Sequence, residues 1–237
     1  MPLKIVLATR NPGKIREMRS ILAGLEVTLL DWTEVPVFPD VEELSESFLE
    51  NALAKAKAVH AATGFAALAD DSGIEVEALG GAPGVRSARY GGPGLSDADR
   101  CAKLLSELEG VPAERRGARF RCVAVLYPAS CAAGGGISTE GFLYGRIAEA
   151  PRGANGFGYD PVFLVPERSR TVAEMDAEEK NSISHRYRAL VEMKHALSRE
   201  CGVPLAAPNA GPPTDGPGSC APPPAAPHAA RPRKPST

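Results

Sequence analysis

Four short segments of the chain carry polar and charged side chains in patterns that could bind or process an anion. In the first, Asn11, Gly13 and Lys14 lie between an apolar run and a helical pattern. Backbone N–H groups, a helix N-terminus and an ammonium group all favour an anion at such a turn. The common phosphate loop requires G-x-x-x-x-G-K-[ST], whereas Ala8 and Ile15 occupy two of those positions here. The turn therefore predicts an anion site of another geometry, or none.

The second segment holds two adjacent carboxylates, Asp70 and Asp71, which follow an apolar run and precede Ser72 and Gly73. Open α/β sheets bind ligands at strand ends of this kind. Because successive strand residues point to opposite faces, the two carboxylates cannot both line one wall. One of them is expected to bind Mg²⁺ while the other accepts a proton from water. The alternative is an ordinary Asp-Asp-Ser-Gly turn.

A helix predicted over residues 46–63 directs one of its two lysines inward. At 100° per residue, Lys55 lies within about 60° of both Phe48 and Ala52, whereas Lys57 points away from Phe48. Lys55 therefore either reaches an anion in a cleft or extends along apolar surface with its ammonium in water.

The segment before this helix, PDVEELSESF, contains Glu42 and Glu43, with Ser45 expected to mark the helix start. Carboxylates are favourable before any helix, but they are also the hard oxygen ligands that Mg²⁺ prefers. No His or Cys residues have the spacing of a transition-metal site. The metal chemistry indicated by the sequence is therefore that of a carboxylate-bound divalent cation.

The third segment, PRGANGFGYDPVF, places Phe157 between two glycines, which exposes the ring and suits stacking on a planar base. The fourth segment, EEKNSISHRYRAL, brings Lys180, His185 and Arg186 immediately before or into the first turn of the last helix. Cations at a helix N-terminus oppose the helix dipole. They therefore indicate an anionic or carbonyl-bearing ligand.

Strand and helix patterns alternate over residues 1–202, which predicts one α/β domain with a mixed sheet. Strands are predicted at 3–8, 26–30, 66–70, 75–77, 119–126, 142–148 and 161–165, and helices at 13–23, 46–63, 97–109 and 184–200. Residues 203–237 contain 11 of the 22 prolines and few large apolar side chains. This composition predicts a disordered Pro/Ala-rich tail.

The composition, with 43% hydrophobic and 24% charged residues, is typical of a globular protein. A net charge of -2 gives no overall attraction to nucleic acid or to a membrane surface. The first apolar run is far shorter than the roughly 20 residues of a membrane span. We therefore expect a cytoplasmic protein that acts on a small molecule, with neither nucleic acid nor membrane as a partner.

Five segments, LATRNPGK, SFLENALAKA, LADDSGIEVEALGGAPGVRSARY, GFGYDP and EEKNSISHR, occur in the order and spacing of one known family. Over roughly residues 3–200 the chain closely resembles the inosine/xanthosine triphosphate pyrophosphatases, which remove non-canonical purine nucleotides. The resemblance implies an elongated mixed sheet with flanking helices, two lobes around a central cleft, a homodimer and a requirement for Mg²⁺. It also implies hydrolysis of dITP, ITP and XTP to the monophosphate and pyrophosphate.

The resemblance also assigns roles to individual residues. Asp71 would direct or deprotonate water and, with Glu43, would bind the metal, while Asp70 is its companion and a further candidate ligand. The expected substrate-binding residues are Thr9, Arg10, Asn11, Lys14, Lys55, Ser72, Phe157, Gly158, Tyr159, Asp160, Lys180, His185 and Arg186. Ser45 stands where the family often has glycine, which predicts a different turn in the loop that carries Glu43.

In that scheme the first turn and Lys55 hold the triphosphate, Phe157 stacks on the base, and the cations near the last helix select a 6-keto purine. Two alternatives stay open. One is a related pyrophosphatase for pyrimidine or methylated nucleotides, and the other is a nucleotide sensor without catalysis. An aspartyl-phosphate phosphatase is disfavoured because ADDSG lacks the D-x-D arrangement of that class.

Overall fold

A computed structural model describes residues 2–129 and 135–205 of the chain. The strands in these residues are β1 (Leu3–Leu7), β2 (Val27–Leu30), β3 (Ala66–Val76), β4 (Gly117–Tyr127), β5 (Ile137–Ile147), β6 (Phe163–Val165) and β7 (Arg170–Thr171). The α-helices are α1 (Pro12–Ile21), α2 (Phe48–Thr63), α3 (Asp97–Glu107), α4 (Ala177–Ile183) and α5 (His185–Cys201). The sequence pattern predicts all of the longer elements but not α4 or β7.

The strands form one mixed sheet in the order β2-β1-β3-β4-β5-β6-β7. β1 is parallel to both of its neighbours, β2 and β3, whereas every other pair of adjacent strands is antiparallel. The predicted fold class, a mixed α/β sheet with flanking helices, is confirmed.

The third strand is longer than predicted and runs through the two adjacent aspartates. The prediction of two separate strands, at 66–70 and 75–77, is wrong, as is the alternative of an Asp-Asp-Ser-Gly turn, because β4 pairs with β3 continuously from Ala67 to Val76. That pairing satisfies the backbone groups of the whole segment. On its other edge, β3 is paired with β1 only as far as Leu68. The carboxylates of Asp70 and Asp71 therefore lie just beyond the point where β1 stops pairing with β3, although β3 itself continues past them.

Helices cover both faces of the sheet. On one face, α1 and α5 pack around Leu68 and Met193. On the opposite face, α2 packs Val59 against Ala67. A third cluster, which includes Leu104 of α3, covers the half of the sheet that contains β5 and β6. Since side chains alternate along β3, Leu68 and Asp70 face α1 and α5, whereas Ala69 and Asp71 face α2.

The helix starts follow local capping. The hydroxyl of Ser47 accepts the N–H of Glu50, so α2 begins at Phe48 and the prediction that Ser45 marks its start is wrong. The hydroxyl of Ser184 accepts the N–H of Tyr187 and starts α5 in the same way. Each serine stands three residues before the N–H that it binds, as in other N-caps.

The domain extends slightly beyond the predicted boundary at residue 202. Val203 is buried in the cluster with α1 and α5, the carbonyl of Pro204 accepts the N–H of Glu26, and Leu205 pairs with Leu25. The rest of the predicted tail, from residue 206 onward, lies outside the described residues. Within residues 2–129 and 135–205, no helix combines the length and the apolar composition that crossing a membrane requires.

Gly141 sets how closely α5 approaches the sheet. A Cβ at this position would lie 2.5 Å from the backbone nitrogen of Ala189 and closer still to the carbonyl oxygen of His185. We expect Gly141→Ala to lower the free energy of unfolding by about 1–3 kcal/mol. Thermal denaturation should show a fall of about 2–4 °C in Tm for each kcal/mol. Ser138→Ala, at an exposed position of the same strand, is the control, and equal Tm values for the two variants would contradict this interpretation.

Candidate functional site

One cavity, of about 160 Å³, gathers most of the predicted site residues. Its wall includes Asn11, Lys14, Glu43, Asp71, Ser72, Phe157, Gly158, Tyr159, Asp160, Lys180, His185 and Arg186. Four predicted residues, Thr9, Arg10, Lys55 and Asp70, are outside this wall. The cavity therefore draws on the first turn, on β3 and on the segments around Phe157 and α5.

The first turn is built by its own polar side chains. Asn11 Oδ1 accepts the N–H groups of Gly13, at 2.8 Å, and of Lys14, at 3.2 Å, which makes it the N-cap of α1. The hydroxyl of Thr9 accepts the N–H of Asn11 at 3.2 Å. Thr9 and Asn11 thus shape the turn, and Lys14 carries its positive charge into the cavity.

Arg10 points away from the cavity. Its guanidinium donates to the carboxylate of Asp40 at 2.6 Å and to the carbonyl of Phe38 at 2.9 Å. The structure therefore does not bring Arg10 together with the other predicted phosphate ligands, and its partners belong to the segment that precedes α2.

Asp70 is buried on the face of β3 that contacts α1 and α5. Its Oδ2 lies 2.9 Å from Lys14 Nζ and 3.0 Å from Arg186 Nη2, and it accepts the hydroxyl of Ser72 at 2.6 Å. Burial acts to raise its pKa, but Lys14 and Arg186 outweigh that effect and hold the pKa well below its usual range. A carboxylate neutralised in this way is a poor candidate for direct metal binding.

Asp71 points to the opposite face of β3, toward α2. Lys55 Nζ lies 3.3 Å from Asp71 Oδ1 and 2.8 Å from Glu43 Oε1, and it donates to the carbonyl of Asp70 at 2.6 Å. Lys55 is thus directed inward, as its helical position predicts. Burial raises the pKa of Asp71, with Lys55 opposing this shift and the charge of Glu43 adding to it. The two adjacent aspartates therefore have pKa values shifted in opposite directions.

Glu43 and Asp71 form a pair of carboxylates that converge on one cation, the Lys55 ammonium. Among the described residues, no group of three or more His, Cys, Asp or Glu side chains is placed to hold a metal ion. Mg²⁺ in phosphate-processing sites is usually held by only one or two carboxylates, together with water and substrate phosphates. The pair fits that donor set, despite the serine at position 45.

Lys180 and Arg186 share a buried carboxylate, Glu17 of α1. The Arg186 guanidinium contacts Glu17, and Lys180 Nζ lies 2.8 Å from Glu17 Oε1 and 2.7 Å from Asp160 Oδ2. Burial acts to raise the pKa of Glu17, but Arg186 and Lys180 lower it below its usual value. The protein's own carboxylates thus supply the counter-charges that the sequence pattern attributes to a ligand.

Phe157 forms part of the cavity wall and is fixed by close packing. A Cβ on Gly13 would lie 2.7 Å from the phenyl ring, so the ring rests directly on the start of α1. Lys180 Nζ lies 4.3 Å from the ring centroid. Nearby, the hydroxyl of Tyr159 donates to the carbonyl of Ser87 at 2.9 Å. Phe157 and Tyr159 are therefore both held by contacts with other segments of the chain.

His185 is a buried, neutral side chain in the cavity wall. Its ring stacks on Phe120 with 4.8 Å between centroids. Burial, together with the charges of Arg186 and Lys180, holds its pKa well below the usual range. Within the described part of the chain, Nδ1 has no hydrogen-bond partner. A neutral imidazole offers one donor and one acceptor nitrogen, which suits recognition of a heterocycle.

The sequence patterns do not select two polar residues that support the site, Glu17 and Asn51. Glu17 lies four residues before the buried Ile21 and therefore on the apolar face of α1. A carboxylate on that face is the sequence feature that could have identified Glu17 as part of the site. Asn51 lies one turn before Lys55 on α2, and its Nδ2 donates to Asp71 Oδ2 at 3.1 Å. The polar side chain of Asn51 on the inward face of α2 could have identified this residue in the same way.

The fold and the cavity together define an α/β protein with a site suited to a phosphorylated small molecule. The model of the Ham1 family matches residues 5–196. The chain belongs to the Ham1 family.

Curated relatives and solved structures agree with this assignment. A dITP/XTP pyrophosphatase from Geobacter sulfurreducens is 53% identical over 195 residues, which cover 82% of this chain and 96% of that protein. A dITP/XTP pyrophosphatase from Symbiobacterium thermophilum is 55% identical over 197 residues, which cover 82% of this chain and 94% of that protein. The structure of a HAM1 protein from Coxiella burnetii matches with a TM-score of 0.75 and 45% identity, covering 83% of this chain and 98% of that chain.

The buried charge of Asp70 can be tested by Asp70→Asn. Because the folded pKa of Asp70 is below its unfolded value of about 3.9, ionisation stabilises the fold above that pH. The contribution is lost as the pH falls through the folded pKa. At pH 7 the substitution leaves Lys14 and Arg186 without their shared carboxylate, which we expect to cost about 3–5 kcal/mol.

Urea denaturation at pH 7, 5 and 3 measures this effect, and the cost of Asp70→Asn should shrink below about pH 4. Asp40→Asn is the control, since Asp40 is an exposed partner in a surface ion pair and should change stability little at any pH. The same cost for Asp70→Asn at pH 3 and at pH 7 would show that the carboxylate charge is not responsible.

Proposed function

We propose that this protein hydrolyses the non-canonical purine nucleoside triphosphates dITP, ITP and XTP to the monophosphate and pyrophosphate, and so cleanses the nucleotide pool. The observation that carries the proposal is the cavity in which Lys14, Asp71 and the neutral His185 converge. The relatives also support the proposal, because two curated dITP/XTP pyrophosphatases are 53% and 50% identical to this chain over the aligned residues.

Mg²⁺ is part of this proposal because the cavity wall has no net charge of its own. Four cationic side chains are balanced by four carboxylates, namely Lys14, Arg100, Lys180 and Arg186 against Glu43, Asp71, Asp97 and Asp160. A triphosphate carries several negative charges, so it requires a cation beyond those of the wall. Glu43 and Asp71 are the residues that would hold Mg²⁺, which when bound supplies electrostatic stabilisation of phosphate oxygens.

Asp71 is assigned the role of orienting water or removing its proton. Its raised pKa brings the carboxylate closer to the operating pH, where a general base is most effective. Water oxygen bonds to the α-phosphorus, the bond from that phosphorus to the bridging oxygen breaks, and pyrophosphate leaves. Phosphoryl transfer needs little covalent help, so positioning by Asp71 and charge neutralisation by Lys14 supply most of the catalysis.

We assign the selection of a 6-keto purine to the hydrogen-bond donors near Phe157, at the end of the cavity where the purine base would bind. Lys180, Arg186 and His185 line this end together with Phe157, which we propose stacks on the base. His185 Nδ1 has no hydrogen-bond partner in the part of the chain that the structure describes. A pocket built to donate to a keto oxygen leaves its donors unpaired against the amino group of adenine. This difference favours inosine and xanthosine nucleotides over ATP.

A homodimer and a cytoplasmic location complete the proposal. The dimer is supported by the family resemblance and by a surface on β4 and β5, where Tyr144 is 59% exposed beside Phe142 and Arg119. Aromatic and arginine side chains are enriched at protein interfaces.

A substrate panel tests the proposed activity. With Mg²⁺, pyrophosphate release from dITP, ITP and XTP should have a kcat/KM at least about 10²-fold above that for ATP. Chelation by EDTA should abolish turnover until Mg²⁺ is restored. Equal hydrolysis of ATP and dITP would contradict the proposed pocket. A preference for pyrimidine or methylated nucleotides would support the related pyrophosphatase, and tight binding without turnover would support the sensor.

The role of Asp71 is tested by Asp71→Asn. Loss of a general base should lower kcat for dITP at least about 10²-fold while the fold survives, since the amide has the same shape but a much weaker affinity for a proton. Steady-state kinetics measure kcat, and circular dichroism checks the fold. Glu109→Gln, an exposed carboxylate outside the cavity wall, is the matched control. Near-normal turnover in Asp71→Asn would remove Asp71 as the base.

A further inference from the structure

Asn51 occupies a buried position between Asp71 and the loop that carries Glu43. The residue lies in the first turn of α2 and is only 2% exposed. Its Nδ2 donates to the carbonyl of Ser45 at 3.0 Å and to Asp71 Oδ2 at 3.1 Å, while its Oδ1 accepts the N–H of Ser45 at 3.0 Å. An asparagine amide has two N–H donors and one carbonyl oxygen, so both donors and the acceptor are in use.

The two bonds to Ser45 resemble the exchange of hydrogen bonds between paired strands, with a side chain in place of one backbone. This matters because residues 37–45 form neither helix nor strand. Their backbone groups need partners from elsewhere, and Glu43 lies only two residues before Ser45. Asn51 therefore holds the loop at the point where it presents a carboxylate to the cavity.

Two residues on the inward face of α2, Asn51 and Lys55, lie one turn apart, and each contacts both β3 and the loop that carries Glu43. Lys55 supplies an ammonium to Glu43 and Asp71, and Asn51 supplies directed hydrogen bonds to Ser45 and Asp71. An ammonium attracts carboxylates from a wide range of directions, whereas an amide constrains both distance and orientation. The two side chains therefore have separate tasks, charge for Lys55 and geometry for Asn51.

We propose that Asn51 is a positioning residue that fixes the Asp71 carboxylate and the Glu43 loop relative to each other. Asp71 Oδ1 faces Lys55 and Oδ2 accepts from Asn51, so rotation of the carboxylate is restrained at both oxygens. Without the amide, the carboxylate turns and the loop separates from α2. This inference rests on the proposed function, because it assumes that the orientation of Asp71 limits the chemical step.

Two substitutions separate the contacts of Asn51. Asn51→Asp keeps an oxygen that accepts the N–H of Ser45 but removes both donors, whereas Asn51→Ala removes all three bonds. We expect both to lower kcat for dITP by about 10–100-fold, as for residues that orient metal or catalytic ligands, with KM changed much less. Glu50→Gln is the matched control, because Glu50 precedes Asn51 on α2 and is exposed, and its carboxylate accepts a hydrogen bond only from the hydroxyl of Ser45 among the described residues.

Amide hydrogen exchange over residues 43–47, measured without nucleotide, gives a second readout that does not depend on activity. Asn51→Ala should accelerate exchange of the Ser45 amide at least about tenfold, whereas Asn51→Asp should keep most of its protection. Thermal denaturation checks that each variant is folded at the assay temperature. If Asn51→Ala does not fold, Asn51→Asp alone still tests the proposal through the ratio of its kcat to that of Glu50→Gln.

The outcomes distinguish this inference from the proposed function. A wild-type protein that releases no pyrophosphate from any purine triphosphate would overturn the function, and the role of Asn51 in catalysis with it. An active wild type with unchanged kcat in Asn51→Asp would overturn only the role of Asn51. Unchanged exchange of residues 43–47 in Asn51→Ala would likewise show that the amide does not hold the loop.

Discussion

The structure depends on a negative charge buried inside it, the carboxylate of Asp70. Burying a charge is unfavourable unless cations and hydrogen bonds compensate it, and here Lys14 from α1 and Arg186 from α5 do so. These ion pairs connect β3 to α1 and α5 through a single carboxylate. The alternation of charge continues from Arg186 through Glu17 and Lys180 to Asp160, which connects α4 and the segment after Phe157 to the same network.

The pleat of β3 explains why two neighbouring carboxylates have different properties. Asp70 points toward α1 and α5, where cations hold its pKa low, and Asp71 points toward α2, where burial raises its pKa. Pairs of acids with pKa values shifted apart are typical of sites that need one permanent charge and one proton acceptor. Asp70 carries the permanent charge and holds Lys14 in place. The proposed metal binding and proton removal are therefore both assigned to the side of β3 that bears Asp71.

The parts of the site that follow local rules could be predicted from the sequence, and the parts that depend on distant partners could not. The helical position of Lys55 determines its inward direction, and the turn at Asn11 fixes the start of α1. The length of β3 could not be predicted, because β4 alone makes the Asp-Asp-Ser-Gly segment extended. Glu17 is 169 residues from Arg186 in the sequence, so its role depends on tertiary packing that no local pattern encodes.

The two lysines of the site, Lys14 and Lys55, have different contacts, and this difference bears on their proposed roles toward a phosphate. An ammonium group has three N–H donors, and those of Lys55 are directed to Glu43, Asp71 and the carbonyl of Asp70. Burial acts to lower the pKa of Lys55, but these carboxylates raise it, so the group stays charged.

Lys14 has a single ion pair, with Asp70, among the described residues, and its side chain is 18% exposed in the cavity wall. It can therefore donate to a phosphate without breaking that pair, whereas Lys55 would have to release an oxygen of the protein. In the proposed function, direct phosphate binding is therefore assigned to Lys14. The charge of Lys55 keeps Glu43 and Asp71 together at a distance where their mutual repulsion would otherwise separate them.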